Sequence, residues 1–509
     1  MVSGKKILLV SHNMEYGGAP RVLLNVAEIL LNCGNKVDVW SYEKGPFSKE
    51  FIEIGIQIEV ISKFELLEKE TEYKKKALTY DLVICNTVLT SDLGDLLSDV
   101  KPVLFYFHEA GVLADAIRDN VKRRNSINRA DNIYTVSEYA RECLKRICGK
   151  DSKIIYNGIQ DEYETYGSIE KKSQSDQKIR FLMLGTIYSL KGLDIALKAY
   201  CILPEDIRLK TEFHIAGDIL EYDYWEGLKK KYLSNKRIYY HGELTSQRAV
   251  YELIRQSDIL VLPSRDDACP LVVLEAAMME TPVIISQNVG DSYITHSGGG
   301  WVVKTEDVKD LERAMQNIIE NPKMLEEAGR KARCSYLKYA TREEYEKQIH
   351  AAISEISEQF YSDKRMHSQE SISARRQERL KENSEELRML SKHFEETYKY
   401  MKHIENSKIW GFPFERLQRN KKIILYGAGK MGKDYYRQVK VTGHGEVILW
   451  VDKQYQRFQD AECPIANPEE IRRTSFDYVV IAIGNEHVKL EIYAILKQWG
   501  IEEERIIIS

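Results

Sequence analysis

The sequence predicts an α/β protein of doubly wound parallel sheets, a pattern that occurs three times along one chain of 509 residues. Three observations predict it. Short apolar runs that suit buried strands alternate with segments of helical period from residue 6 to residue 157. The alternation restarts at 179 and runs to 286, and it starts again at 421. At roughly 150 residues per domain the length allows about three such units.

In the first unit KILLVS (6–11), KVDVWS (36–41), DLVICN (81–86), VLFYFH (103–108), NIYTVS (132–137) and KIIYN (153–157) read as strands. PRVLLNVAEILLNCG, between the first two, has a helical period and a glycine stop at Gly34. DEYETYGSIEKKSQSDQK (161–178) has no apolar period and reads as a hinge. The second unit offers IRFLMLG (179–185), EFHIAG (212–217), IYYHG (238–242), DILVLPS (258–264) and TPVIIS (281–286). Domains over 1–170 and 171–354 would face each other across a cleft at the strand C-termini, where open α/β sheets take ligands.

From Lys331 to Trp410 there is neither glycine nor proline, which predicts long helices and a helical segment over 355–412. Leu380, Leu387, Phe394 and Met401 repeat every seven residues. Leu390 and Ile404 take the second row, which Asn383 and Thr397 interrupt. Two readings stand: a helix packed on its own domain, or a seam of about three heptads that joins copies of the chain into a homo-oligomer through residues 365–405.

The last unit, 413–509, holds KKIILYGAGKMGKDYY (421–436), VILWVD (447–452), DYVVIAIG (477–484) and RIIIS (505–509). Gly427, Gly429 and Gly432 form G-x-G-x-x-G between a strand and a helix, and Asp452 ends the next strand. That matches the dinucleotide fingerprint. The unit is too small to add a catalytic domain, so a bound nucleotide is expected there and redox chemistry is not. Tyr436 and Lys440 imitate a dehydrogenase pair but lie on the first helix, so they read as surface neighbours.

Composition narrows the function classes. A net charge of −4 predicts no nucleic-acid partner. Eight scattered cysteines with no C-x-x-C suit reduced thiols and no zinc cluster, and no metal site is expected. The opening apolar run is too short for a signal peptide, and no 18-residue apolar run occurs. A cytoplasmic protein is expected, at most peripheral at the inner face of a membrane. Arg118, Lys122, Arg123, Arg124 and Arg129 crowd IRDNVKRRNSINR (117–129). They read either as a solvated face or as a patch for anionic lipid, at about 1 kcal/mol per basic residue.

Two stretches carry chemistry. In GTIYSLKGLD, Gly185 closes a strand, Thr186 follows it, and Lys191 precedes a helix whose amides would face the cleft. Backbone N–H groups at a helix start with one ammonium make a phosphate site. In PSRDDACPLVVLEAAMMETPVIIS, Asp267 and Glu275 flank a helix start at Pro270. The amides of Leu271, Val272 and Val273 would aim at an anion, and the two carboxylates could accept vicinal hydroxyls. Donors for phosphate between acceptors for hydroxyls suit a nucleotide sugar.

These residues resemble the retaining glycosyltransferases of family 4, with the GT-B fold. The family's Glu-x7-Glu, alanine-rich helix and Pro-Val strand correspond to Asp267, Glu275, Ala276, Ala277 and Thr281-Pro282-Val283. EYGGAPRVLLNVA (15–27) is similar to the family's glycine loop, and His108, VSEYARECL (136–144) and YNGI (156–159) fall where the family has their like. The resemblance covers about residues 5–350. It implies that Lys191 binds the donor diphosphate, Glu275 the ribose and Asp267 the sugar hydroxyls. It also implies that Gly17 and Gly18 let the backbone approach the leaving phosphate, and that His108 lies beside the transferred sugar. Donor binding would use a UDP- or GDP-sugar, need no metal or cofactor for transfer, and serve a glycan or lipid-linked glycan acceptor. Two departures stand out: Thr186 where the family often has Arg, and Asp267 where it has Glu. The last unit resembles small Rossmann-like modules appended to bacterial polysaccharide-biosynthesis proteins. An NAD-dependent sugar-modifying oxidoreductase and a non-catalytic nucleotide-sugar scaffold are the rival readings.

Overall fold

Alternate residues of each central strand feed two different cores, and this makes the first sheet doubly wound. In the computed structural model Ile7 and Leu9 pack with Val22, Leu23, Val26 and Leu30 of the helix Gly18–Asn32. Leu8 and Val10 pack on the other face with Trp40, Tyr73, Leu93 and Leu96. Each such side chain, fully buried, contributes about 1.5–3 kcal/mol. The structure describes residues 2–118, 120–169, 178–362, 371–384, 388, 410–458 and 464–508. The chain divides into two units, Met1–Glu386 and Leu387–Ser509.

The first sheet contains β1 (Lys6–Ser11), β2 (Lys36–Ser41), β3 (Ile58–Val60), β4 (Leu82–Asn86), β5 (Val103–Phe107), β6 (Ile133–Thr135) and β7 (Lys153–Ile154). All pairings are parallel, in the order 3-2-1-4-5-6-7. The second sheet contains β8 (Ile179–Leu184), β9 (Thr211–Ala216), β10 (Ile238–Tyr240), β11 (Ile259–Leu262), β12 (Val283–Ser286) and β13 (Gly300–Val303), in the order 10-9-8-11-12-13. Strand order reverses between β1 and β4 in one sheet and between β8 and β11 in the other. At such a switch point the loops leave in opposite directions and open a crevice at the strand ends. Lys191 follows β8 and Asp267 follows β11, so both stand at the second switch point.

The edge strands β3 and β13 were not legible in the sequence. β3 is three residues long, and β13 starts in the glycine run 298–300, which signals a turn. NIYTVS and KIIYN shorten to three and two strand residues at the sheet edge. A short helix, Tyr163–Tyr166, stands inside the expected hinge.

The helix Arg342–Ser362 follows the second sheet in sequence, yet Tyr345, Ile349, Ala352, Ile353 and Ile356 join the first domain's core. The helix over 371–384 then docks on the same domain through charge. Arg375 and Arg379 reach Asp99, Arg376 reaches Glu70 at 3.0 Å, and Arg129 reaches Glu382 at 2.6 Å. Over this stretch the helix packs on its own domain. Leu380 of the heptad row is 45% exposed, while Leu387, Phe394 and Met401, with most of the 365–405 seam, lie outside the described residues.

The basic run 117–129 carries less free charge than its composition implies. Arg129 is half-buried between Asp95 and Glu382, and Arg118 pairs with Asp115 at 2.5 Å. Arg123 donates to the Ala116 carbonyl at 2.6 Å. Among the described residues no helix is long and apolar enough to cross a membrane.

The second unit is a five-stranded parallel sheet of β14 (Lys421–Tyr426), β15 (Gly445–Val451), β16 (Ile465–Ala466), β17 (Tyr478–Ile481) and β18 (Ile506–Ile508), in the order 16-15-14-17-18. Its switch point lies between β14 and β17, directly above the glycine loop 427–429.

Candidate active site

Lys191 ends a 3-10 turn, Ser189–Lys191, that enters the helix Leu193–Ile202. Gly192 between them has φ +74°, and a Cβ there would strike the Pro263 carbonyl. Gly192 is therefore required by the close approach of the β11 loop. Arg265 clamps the turn from that loop: it bonds Asp194 at 2.8 and 2.9 Å and the Ser189 carbonyl at 2.5 Å. From the other side Glu221 accepts the Ser189 amide at 3.0 Å. Neither Arg265 nor Glu221 stood out in the sequence, because each partner lies more than 30 residues away.

So held, Lys191 Nζ lies 2.5 Å from Asp267 Oδ2. Burial works against the ammonium, but Asp267, with Tyr188 and Asp291 behind it, raises its pKa above the ordinary lysine value. Lys191 is charged and keeps two further N–H donors besides the one aimed at Asp267. Asp291 is fully buried, accepts from Cys269 Sγ at 3.2 Å and leaves Oδ2 without a partner. Burial, with the Asp267 charge added, pushes its carboxyl well above the usual range. No sequence pattern pointed to Asp291.

Glu275 lies in the helix Leu271–Met278, on the wall of a cavity of about 600 Å³. Tyr251, Ser246 and Leu271 line it from the second domain, and Arg21, Asn25 and Glu28 from the first. Burial raises the Glu275 pKa to about 7, with Arg21 opposing. One expectation needs correction: the Val273 amide is taken by the Pro270 carbonyl at 3.0 Å. Helix geometry leaves the half-buried Leu271 and Val272 to offer amides to an anion.

In the first domain, His108 Nε2 lies 2.6 Å from Asn86 Oδ1. Asn86 donates its amide to the Ala19 carbonyl at 3.0 Å, so its oxygen accepts and the His108 proton sits on Nε2. Burial, reinforced by His12, lowers the His108 pKa to about 3 and keeps the ring neutral. Asn86 thus ties His108 to the first turn of the glycine-loop helix. Gly17 and Gly18 are exposed there with negative or extended φ, and a Cβ on Gly18 would meet nothing within 4 Å. The protein's own packing does not require these two glycines, which leaves room for an incoming group. Thr186 is exposed at the end of β8.

Among the described residues one trio outside the cleft has ligand spacing: Cys33, Glu346 and His350. His350 Nδ1 accepts the Val2 amide at 3.1 Å, so its proton is on Nε2, the nitrogen that faces Cys33 at 3.2 Å. A protonated nitrogen does not ligate, and the trio is a hydrogen-bonded group.

In the second unit a Cβ on Gly427 would lie 2.6 Å from the Ala482 carbonyl, and one on Gly432 would strike the Gly427 carbonyl. Both serve packing. Gly429 has open space around its Cα. Asp452 Oδ2 accepts the Ala428 amide at 2.7 Å, so one of its oxygens already serves the loop. Tyr436 stacks on Trp450 and Lys440 lies over the Tyr436 ring, which makes them a packed pair.

Residues 3–150 match the family Glycosyl-transferase family 4, and residues 167–334 match Glycosyl transferases group 1. The two domains up to residue 334 belong to the GT-B glycosyltransferases. Residues 419–507 match a third family, C2185-like, N-terminal. The GT-B pair is 24% identical over 244 residues to an uncharacterized glycosyltransferase of Methanocaldococcus jannaschii, covering 47% of this chain and 59% of that relative. An Escherichia coli UDP-Gal:alpha-D-GlcNAc-diphosphoundecaprenol alpha-1,3-galactosyltransferase is 22% identical over 354 residues, 60% of this chain and 85% of the relative. The crystal structure of Anabaena HepE in complex with UDP shares the fold at a TM-score of 0.59 and 19% identity, over 69% of this chain and all of that one.

Proposed function

We propose that this chain is a retaining glycosyltransferase that moves a sugar from a UDP- or GDP-linked donor to a glycan or lipid-linked glycan acceptor in polysaccharide assembly. The observation that carries the reading is the Lys191–Asp267 pair at the β8/β11 switch point, with Glu275 on the helix that follows Asp267 and on the wall of a cavity lined from both domains. The E. coli relative, whose name states a UDP-sugar donor and a lipid-diphosphate acceptor, supports the substrate classes. The HepE complex supports a uridine nucleotide.

Donor binding would place the ribose hydroxyls on Glu275, the diphosphate against Lys191 and the amides of Leu271 and Val272, and the sugar hydroxyls on Asp267. The bond from the anomeric carbon to the phosphate oxygen breaks, and its electron pair goes to that oxygen, where Lys191 stabilises it. The acceptor oxygen attacks from the same face, and its proton passes to the departing phosphate oxygen. His108, neutral and held on Asn86, polarises the surroundings of the sugar. Gly17 and Gly18 leave the leaving group room. The helix start and Lys191 do the work of the Arg that Thr186 replaces.

Three further assignments belong to this proposal. The Gly429 loop takes a nucleotide or nucleotide sugar, with Gly427, Gly432 and Asp452 shaping it. The row that begins at the exposed Leu380, within residues 365–405, joins copies of the chain, while the charged face of 375–382 stays on its own domain. The enzyme works in the cytoplasm against the membrane face. The central test is nucleoside-diphosphate release from a panel of UDP- and GDP-sugars, followed by NMR of the product anomer. Release that needs Glu275 and retained configuration are expected; inverted configuration would overturn the retaining mechanism. Light scattering of the full chain against one ended at Ser362 tests the oligomer. That end keeps Ile356 in the first domain's core.

A further inference from the structure

The neighbours Asp266 and Asp267 bind opposite domains. Asp267 pairs with Lys191 in the second domain. Asp266 crosses the cleft: its Oδ1 accepts the Gly111 amide at 2.8 Å and the Tyr139 hydroxyl at 2.8 Å, and its Oδ2 accepts the Val112 amide at 2.7 Å. We propose that Asp266 is the latch that closes the two domains over the donor and sets Asp267 in place through the peptide bond they share. The proposal rests on the transfer reading above. Asp266 touches no substrate in it and acts as a positioning residue.

Three features favour a latch over a chance contact. All three donors converge on one carboxylate, and hydrogen bonds to a carboxylate are roughly twice as strong as neutral ones. A Cβ at residue 111 would lie 2.9 Å from Asp266 Oδ1, so glycine is what permits the approach. A second bridge follows at once: Ser137 Oγ, which also caps the helix Glu138–Cys148, donates to the Ala268 carbonyl at 2.6 Å. On its other side the loop is held by its own domain, with the Asp267 amide on the Asn288 carbonyl at 2.9 Å and the Gly290 amide on the Asp267 carbonyl at 3.0 Å. When the domains part, the first-domain side of this grip is lost and the Asp267 backbone is held from one side alone. A displacement of about 1 Å at a reacting centre can cost about a hundredfold in rate.

The test uses the full chain with Asp266→Asn, Tyr139→Phe and the double variant. Donor affinity is measured by calorimetry, turnover by diphosphate release, and domain closure by small-angle X-ray scattering with and without nucleotide sugar. Asp266→Asn is expected to keep donor affinity within about threefold, lower kcat about tenfold to a hundredfold, and abolish the donor-induced contraction of the wild type. The losses of the two single variants should not add, because they remove one shared bond. Unchanged kcat, additive losses, or a donor affinity that falls in step with kcat would each overturn the latch. So would a wild type that does not contract. Should Asp266→Asn fail to fold, Gly111→Ala carries the test, since it pushes on the same oxygen. If the wild type turns over no nucleotide sugar, the transfer reading fails. The latch is then judged by scattering and by non-additivity in the donor-induced thermal shift.

Discussion

The cleft and the outer face of the first domain are both built from carboxylates set against cations, yet they leave very different capacity for a ligand. On the outer face Asp99 receives Lys74 at 2.7 Å, Arg375 at 3.2 Å and Arg379. Asp95 takes Arg129 at 2.8 Å and Arg379 at 3.5 Å, and Glu70 takes Lys74 at 2.5 Å and Arg376 at 3.0 Å. Each of these three carboxylates meets two or three cations. In the cleft Lys191 has one carboxylate at 2.5 Å and Asp291 Oδ2 has no partner. The clasp is the more deeply buried: its three carboxylates are at most 6% exposed, against 13% for Asp267 and 18% for Lys191. The clasp matches each carboxylate with several cations, whereas the cleft sets a single ammonium against Asp267 and leaves Asp291 Oδ2 without a hydrogen bond.

Removing a cleft charge should show the largest effect. Glu275→Ala and Lys191→Ala are each expected to abolish or nearly abolish transfer while the fold persists. A lost charge-assisted contact costs on the order of 1.5–3 kcal/mol or more. Near-normal kcat/KM in both variants would sink the assignment of the cleft.

Arg379→Ala should do the reverse. Breaking a buried ion-pair group costs about 3–5 kcal/mol, so the helix over 371–384 should open to limited proteolysis about a hundredfold faster or more. Donor affinity should not change. A variant as resistant as the wild type would show that the clasp contributes nothing.

A smaller effect is expected from pH. The Glu275 pKa of about 7 lies above the ordinary carboxylate value of 4.5. The fold therefore disfavours the ionised form, and the stability this group lends is present at low pH and declines as pH rises from 4.5 towards 7. Hydroxyls of a bound ribose favour the ionised form. Nucleotide-sugar affinity should therefore increase from pH 6 to pH 8, by at most about tenfold per unit, and the trend should flatten in Glu275→Gln. Calorimetry across that range checks it; an equal slope in both proteins would remove Glu275 from the ribose.

The smallest effect is expected at Thr186. It is exposed at the end of β8, so Thr186→Arg should leave donor binding equal or up to about tenfold tighter. Much weaker binding in a folded variant would mean that the loop after Gly185 meets the donor differently.

Three parallel sheets, the order of the strands along the chain, the Lys191 turn, the Asp267–Glu275 helix start and the glycine loop above β14 were all legible in the sequence. Each depends on local signals: apolar runs of strand length, glycines before helices, and a proline at a helix start. Four things were settled only by the tertiary structure. The helix Arg342–Ser362 returns to the first domain because Ile349, Ile353 and Ile356 complete a core whose other members lie mostly between Ile7 and Ile155. The charged face of residues 375–382 finds Asp95 and Asp99 for the same reason. Asp291 becomes a buried carboxyl beside Asp267 and Lys191 through the loop that follows β12. Nothing local marks Asp266, and its carboxylate gains its role only when the Gly111 and Val112 amides and the Tyr139 hydroxyl arrive from the other domain. Periodicity and turn chemistry act over a few residues and can be read along the chain. Charge pairing and closure act across space, between segments that only the folded chain brings together.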